Sequence, residues 1–401
     1  MVKEVSVGNH GGNEYTRHEN VKRKIINCVI LYNIFRPGHK TIRKHYKMYK
    51  QIKIFFLITI IVCSLFSCHQ KKAIPKADFV IADGQMPNIA KDKSGNIYLA
   101  YGIGDSIMYT SSSDNGNSFS SPSLVVVLPK LFSFAMRGPQ IAATNNGIII
   151  TACTSKGNIY SYYKENGNWK EGARVNDADT VAKEGLMALT ADGENAFAIW
   201  LDLRENKRNK IYGAKSNDGG KTWSENQMIY TSPDTSVCEC CKPSVVMKGN
   251  NVYVMFRNWL NGNRDLYLIQ SSNGGTSFGQ AQKLGTGNWK LNGCPMDGGG
   301  LAINQKGEVQ TVWKREGDIY TAMPGTHENR IGEGRGCTIE TVNNKNVYAW
   351  VQNGEIVYSK PDEQTKILGK GNQPILKALD NKHVICVWEN EKQIHASVLE
   401  L

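Results

Sequence analysis

The octapeptide Ser216-Asn-Asp-Gly-Gly-Lys-Thr-Trp223 recurs as Ser112-Ser-Asp-Asn-Gly-Asn-Ser-Phe119. A third copy, Ser271-Ser-Asn-Gly-Gly-Thr-Ser-Phe278, carries Asn273 in the aspartate position. A worn fourth copy is visible in Glu165-Asn-Gly-Asn-Trp169. Each copy has the chemistry of a tight hairpin. Gly116, Gly220 and Gly275 can take positive φ because they lack a Cβ. Asp114 and Asp218 can accept backbone N–H bonds within the turn. The closing aromatic, Phe119, Trp223 or Phe278, is large enough to fill the space between two sheets.

Working outward from these turns, the chain repeats one unit. A short strand enters after Pro or Gly, as in Pro87-Asn-Ile-Ala90 and Pro139-Gln-Ile-Ala142. A strongly apolar strand follows, and the octapeptide then joins a third strand to a short fourth. Successive apolar strands are Asn96–Tyr101, Gly147–Ala152, Ala196–Trp200, Val252–Phe256, Val309–Trp313, Val347–Trp350 and Val384–Trp388. Their spacing of about 37 to 56 residues is that of four-stranded propeller blades. The reading is an all-β propeller of seven blades, with six as the alternative. The last unit ends after its third strand, Gln393–Val398, which would leave an unpaired edge. Asp78-Phe-Val-Ile-Ala82 is expected to supply the missing strand and close the ring.

The octapeptides match the Asp-box pattern S-x-D-x-G-x-[ST]-[FW]. Residues 78–401 therefore resemble the sialidase-like, BNR-repeat propellers. The resemblance implies that the boxes are fold markers on the face opposite the ligand site. It places the ligand face at the loops entering each blade and the loops between second and third strands. That face would carry Arg137, Arg204, Arg257, Arg315 and Arg335 as ligand-binding candidates, with Glu184 and Asp202 as candidate acids. Sialidases grip the substrate carboxylate with three arginines, whose forks match carboxylates bidentately. Their first arginine lies in a Phe/Tyr-Arg-Ile-Pro motif; here the corresponding stretch is Gln85-Met86-Pro87. Met136-Arg137-Gly138-Pro139 echoes the motif one blade late, and no Tyr with a Glu partner is evident.

Five cysteines, Cys238, Cys240, Cys241, Cys294 and Cys337, fall in three consecutive blade entries. An exported compartment permits a cross-blade disulfide, from Cys238 or Cys241 to Cys294. Thiolates with Met296 nearby would alternatively suit Cu(I) or Zn, although C-x-C-C lacks the spacing of a common zinc module. Free thiols are the third reading. Cys153 and Cys386 lie in apolar strands and read as core residues.

The chain has 401 residues, 48 Lys+Arg and 36 Asp+Glu, with a formal charge of +12. Residues 1–67 hold 12 of the basic and 3 of the acidic residues, so the remainder is close to neutral. That distribution argues against a nucleic-acid partner. Gly102-Ile-Gly104 lies between propeller strands and is no nucleotide loop. The 13-residue apolar run Ile54–Phe66 is too short to span a bilayer, and it follows a basic stretch. Leu65-Phe-Ser-Cys68 resembles a bacterial lipobox, which implies lipidation at Cys68 and a membrane-anchored envelope lipoprotein, with the outer membrane favoured. Residues 48–67 then form the signal and 68–77 a tether. Residues 1–47 are expected to precede the true start at Met48. Three functions follow as expectations: a propeller binding a glycan or an envelope protein, with no cofactor; an exo-α-sialidase; or a metal or redox site built from the clustered cysteines.

Overall fold

The computed structural model describes residues 76–401, apart from 146 and 235. The signal segment, Cys68 and the tether up to residue 75 lie outside the described residues. Among the described residues every regular element is a strand. No helix among them is long and apolar enough to cross a membrane.

The strands form seven antiparallel sheets in one ring. Blade one runs Gln85–Lys91, Ile97–Ile103, Ser106–Ser112 and Ser123–Val127 from the axis outward. The innermost strands of the other six are Gln140–Ala143, Met187–Asp192, Ser244–Lys248, Gly299–Ile303, Arg335–Val342 and Asn372–Ala378. Blade four departs from the four-stranded plan. A fifth short strand, Ser236–Val237, pairs with Asn258 and Trp259 ahead of the innermost strand.

The ring closes as the unpaired edge requires. Lys76–Asp83 pairs antiparallel with Gln393–Glu400, so the seventh blade takes its outer strand from the start of the propeller. Asp78 Oδ1 meets His395 Nδ1 at 2.7 Å, and Ser397 Oγ donates to Lys76 O at 3.0 Å. Lys76 and Ala77, read from sequence as tether, thus belong to the closing strand.

The octapeptides form the expected turns. In the Ser216 copy, Gly220 N donates to Ser216 Oγ at 2.9 Å and Thr222 N to Asp218 Oδ1 at 3.0 Å. The Ser112 copy repeats both bonds at the same distances. With Asn273 the geometry survives: Ser277 N donates to Asn273 Oδ1 at 2.9 Å, and Asn273 Nδ2 donates to Ser277 Oγ at 2.8 Å. An amide replaces the carboxylate because it keeps the acceptor and exchanges one acceptor for a donor.

The glycine is needed for contact as well as for φ. A Cβ on Gly275 would lie 2.2 Å from the Phe197 ring of the preceding blade, and one on Gly220 would lie 2.6 Å from Ile149. Phe278 packs on Phe197, Trp223 joins the cluster holding Ile159, and Phe119 joins the one holding Ile385. Each turn therefore docks one blade on its predecessor, and the core consists of such inter-blade clusters.

Candidate functional site

The inner strands surround a central channel, whose mouth lies where they begin. Its cavity measures about 250 Å³. Inner strands one, six and seven each start with a bulge that inserts one extra residue, between Gln85/Asn88, Arg335/Thr338 and Asn372/Ile375. The bulges put Met86 and Gln373 at φ 52° and 54°. Met136 and Met296, in the entries to blades two and five, sit at φ 69° and 46°. Non-glycine residues persist there only when their surroundings hold them, and such strain clusters at functional sites. At blade one the hold is visible: Glu389 accepts from Met86 N at 2.9 Å and from Gln85 Nε2 at 3.3 Å. The position where sialidases carry their first arginine is thus a glutamine tied to a neighbouring blade.

One lysine reaches across the mouth. Lys242 precedes Pro243 at the entry to blade four, and its Nζ donates to Gln140 Oε1 of blade two at 2.9 Å. Asn88 Nδ2 of blade one donates to the same oxygen at 3.1 Å. Burial lowers the Lys242 ammonium to about 8. Asp297, 1% exposed, also lines the channel. Its Oδ2 accepts from Gly336 N at 2.8 Å, whereas its Oδ1 has no hydrogen-bond partner among the described residues. Burial raises this carboxyl above its ordinary range, against the pull of the Gly336 N–H and Arg257. Lys242, Gln140 and Asn88 were not singled out from sequence. The one local signal is a lysine directly before the proline that starts an inner strand.

The structure places the predicted arginines on this side of the ring and gives most of them partners. Arg257, 2% exposed, donates to the carbonyls of Asp297, Arg264 and Lys314 at 3.4, 2.7 and 2.8 Å. Arg204 grips buried Asp202 through Nε and Nη2 at 2.9 Å and meets Asp177 at 3.0 Å. Asp202 also accepts from Trp200 Nε1 at 2.8 Å. Arg315 pairs with Glu328 at 2.6 Å. Arg137 pairs with Glu184 at 3.8 Å and donates from Nε to the Glu184 carbonyl at 2.5 Å. Arg335 is exposed, and its side chain makes no hydrogen bond or ion pair among the described residues. Of the two predicted acids, Glu184 is raised above its ordinary range by burial, with Arg137 opposing.

The cysteines contain the expected cross-blade bridge, but with a different partner: Cys240, rather than Cys238 or Cys241, is bonded to Cys294. The extra strand Ser236–Val237 leads Cys238 into the core, and Cys238 N donates to Arg257 O at 2.9 Å. Cys238 and Cys241 are 1% and 2% exposed, which leaves Cys240 facing the exposed Cys294. Among the described residues, Cys238, Cys240 and Cys241 form the one group whose ligand atoms lie together closely enough for a metal. With Cys240 in a disulfide, two thiols of that group remain. Burial raises the Cys337 thiol, and the charge of nearby Asp297 adds to the rise. Cys153 and Cys386 are core residues, at 3% and 0% exposed.

Comparison with known proteins finds the following similarities. An ulvan lyase of polysaccharide lyase family PL25 is similar at 10% identity, covering 82% of this chain and 96% of its own, with a TM-score of 0.50. The intramolecular trans-sialidase of Ruminococcus gnavus is similar at 12% identity over 82% and 99%, with a TM-score of 0.45. The NanB sialidase of Streptococcus pneumoniae is similar at 11% identity over 82% and 70%, with a TM-score of 0.43. No curated protein matches the chain. The BNR repeat-like domain matches residues 80–303, more than half of the sequence. With its Ser-Asp-Gly turns and its ring of four-stranded sheets, this chain belongs to the family of BNR repeat-like domains.

Proposed function

We propose that this chain is an exported, lipid-anchored envelope protein that binds a glycan at the mouth of its propeller channel, without hydrolysing it. Lys242 carries the reading: a half-buried ammonium joined to two other blades through a single amide oxygen. A charged donor beside apolar Met86 and Met136 suits a polyhydroxylated ligand bearing a carboxylate. The sialidase alternative needs three arginines turned to one substrate carboxylate. Arg137, Arg204, Arg257 and Arg315 are instead engaged by the protein's own groups.

The test uses purified protein from His69 to Leu401 on an array of sialylated and uronic-acid oligosaccharides, together with a fluorogenic sialoside. Binding without turnover is expected. Lys242→Met should abolish binding while leaving the unfolding temperature unchanged or raised, because it removes a desolvated charge. Lys242 is charged below about pH 8 and neutral above it, so affinity for acidic sugars should fall as pH rises through that value. Turnover of the sialoside would establish the hydrolase instead. Full binding by Lys242→Met would place the ligand elsewhere.

The anchor has its own test. In cells, Cys68→Ala should move the protein from the membrane fraction to the soluble fraction and abolish palmitate labelling. Unchanged fractionation and labelling would remove the lipid anchor from the reading.

A further inference from the structure

At the entry to blade four, a free thiol touches a disulfide. Cys238 Sγ lies 3.7 Å from Cys240 Sγ, which is bonded to Cys294 of the next blade entry. Cys238 also shares a hydrogen bond with Cys241 Sγ at 3.4 Å. Arg264 Nη1 donates to Cys238 Sγ at 3.1 Å, and its guanidinium stacks 4.5 Å over the Trp259 ring. Arg264 is 7% exposed, so its charge is little screened by solvent, although Glu239 Oε2 at 3.7 Å from the same Nη1 offsets part of it. The hydrogen bond with Cys241, helped by the charges of Arg264 and Arg257, holds the Cys238 thiol well below its ordinary range against the opposing effect of burial, while burial raises Cys241. These are conditions for a nucleophilic thiolate, and they pre-position it on its electrophile.

We propose that Cys238 is the nucleophile of an internal thiol–disulfide exchange that moves the bridge from Cys240–Cys294 to Cys238–Cys240. The Cys238 proton is lost to water and its sulfur bonds to Cys240 Sγ. The Cys240–Cys294 bond breaks, and Cys294 leaves as a thiolate that is reprotonated from water. One disulfide and one thiol are present before and after, so no oxidant or reductant is consumed. The leaving group is the exposed partner, which solvent stabilises. Exchange detaches the Cys294 loop from blade four. The released loop leads, three residues later, into Asp297, which Gly336 N and Arg257 still hold in the channel wall. The activity is independent of the glycan reading. A cation at the same sulfurs is the competing arrangement, and Arg264 beside them opposes it.

The experiment labels the native, full-length, reductant-free protein with N-ethylmaleimide over time, then quenches it in acid and maps the linked peptides by mass spectrometry. In the wild type, Cys294 should be labelled progressively, with a matching rise in the Cys238–Cys240 link. Cys238→Ser should slow Cys294 labelling by at least about tenfold, while Cys153→Ser should leave it unchanged. If Cys238→Ser fails to fold, the wild-type map decides: absence of both the Cys238–Cys240 link and labelled Cys294 overturns the proposal. Equal Cys294 labelling in wild type and Cys238→Ser overturns it as well. So does a stoichiometric thiophilic metal bound to the purified protein with Cys240 unbridged.

Discussion

A chain that begins at Gln85, without the strand Lys76–Asp83, is expected to lose the cooperative unfolding transition of the propeller and to self-associate. That strand makes five register pairs with Gln393–Glu400. It adds the Asp78–His395 contact and the packing of Phe79 and Ile81 on the cluster around Ile385 and Val387. At about 1 kcal/mol per hydrogen bond, the ladder alone contributes on the order of 5 kcal/mol. This is comparable to the whole stability of a typical domain. Removal also exposes the edge of Gln393–Glu400, which would pair with a second copy. Near-UV circular dichroism during heating and size-exclusion chromatography report the two effects. Adding a synthetic Lys76–Asp83 peptide should restore the monomer. An unfolding temperature equal to that of the full propeller would show that blade seven is stable with three strands.

Arg257→Ala is expected to cost roughly 3–5 kcal/mol of folding stability. The guanidinium satisfies three carbonyls, from Asp297, Arg264 and Lys314, and stacks 5.2 Å from the Trp289 ring. Its removal takes one donor from each of those oxygens and a positive charge away from buried Asp297. Arg257→Lys should lose nearly as much, because one ammonium cannot present the fork that reaches carbonyls from blades four and five. Chemical denaturation of both variants measures the loss. A large loss of ligand binding with unchanged stability would return Arg257 to the ligand-gripping role its sequence position suggested. Activity measured on Arg257→Ala therefore needs a folding control, since stability and ligand contact would otherwise be confounded.

The blade count, the turn positions and the ring closure were legible in the sequence because each depends on local chemistry repeated at a regular spacing. Ser112, Asp114, Gly116 and Ser118 meet within seven residues, so their pattern states their contacts. The apolar second strands stand out because both of their faces are covered by neighbouring blades. The short strand Ser236–Val237 left no such trace. Its pairing is with Asn258 and Trp259, and nothing in its two residues announces it.

The roles of the charged and sulfur residues were decided by the tertiary structure. A loop arginine can serve a ligand or a carbonyl equally well, and only the neighbouring blade determines which is within reach. Arg204 has its carboxylate two residues away, whereas Arg257 finds Lys314 O 57 residues on. The same holds for Cys240, whose bridge spans 54 residues, and for Lys242, whose amide partner is 102 residues away. Sequence by itself determined the blades of this protein, because a turn is built from adjacent residues. The channel mouth was determined by ring closure, which brings the first residues of seven separated strands to one axis and sets which long side chains find partners there.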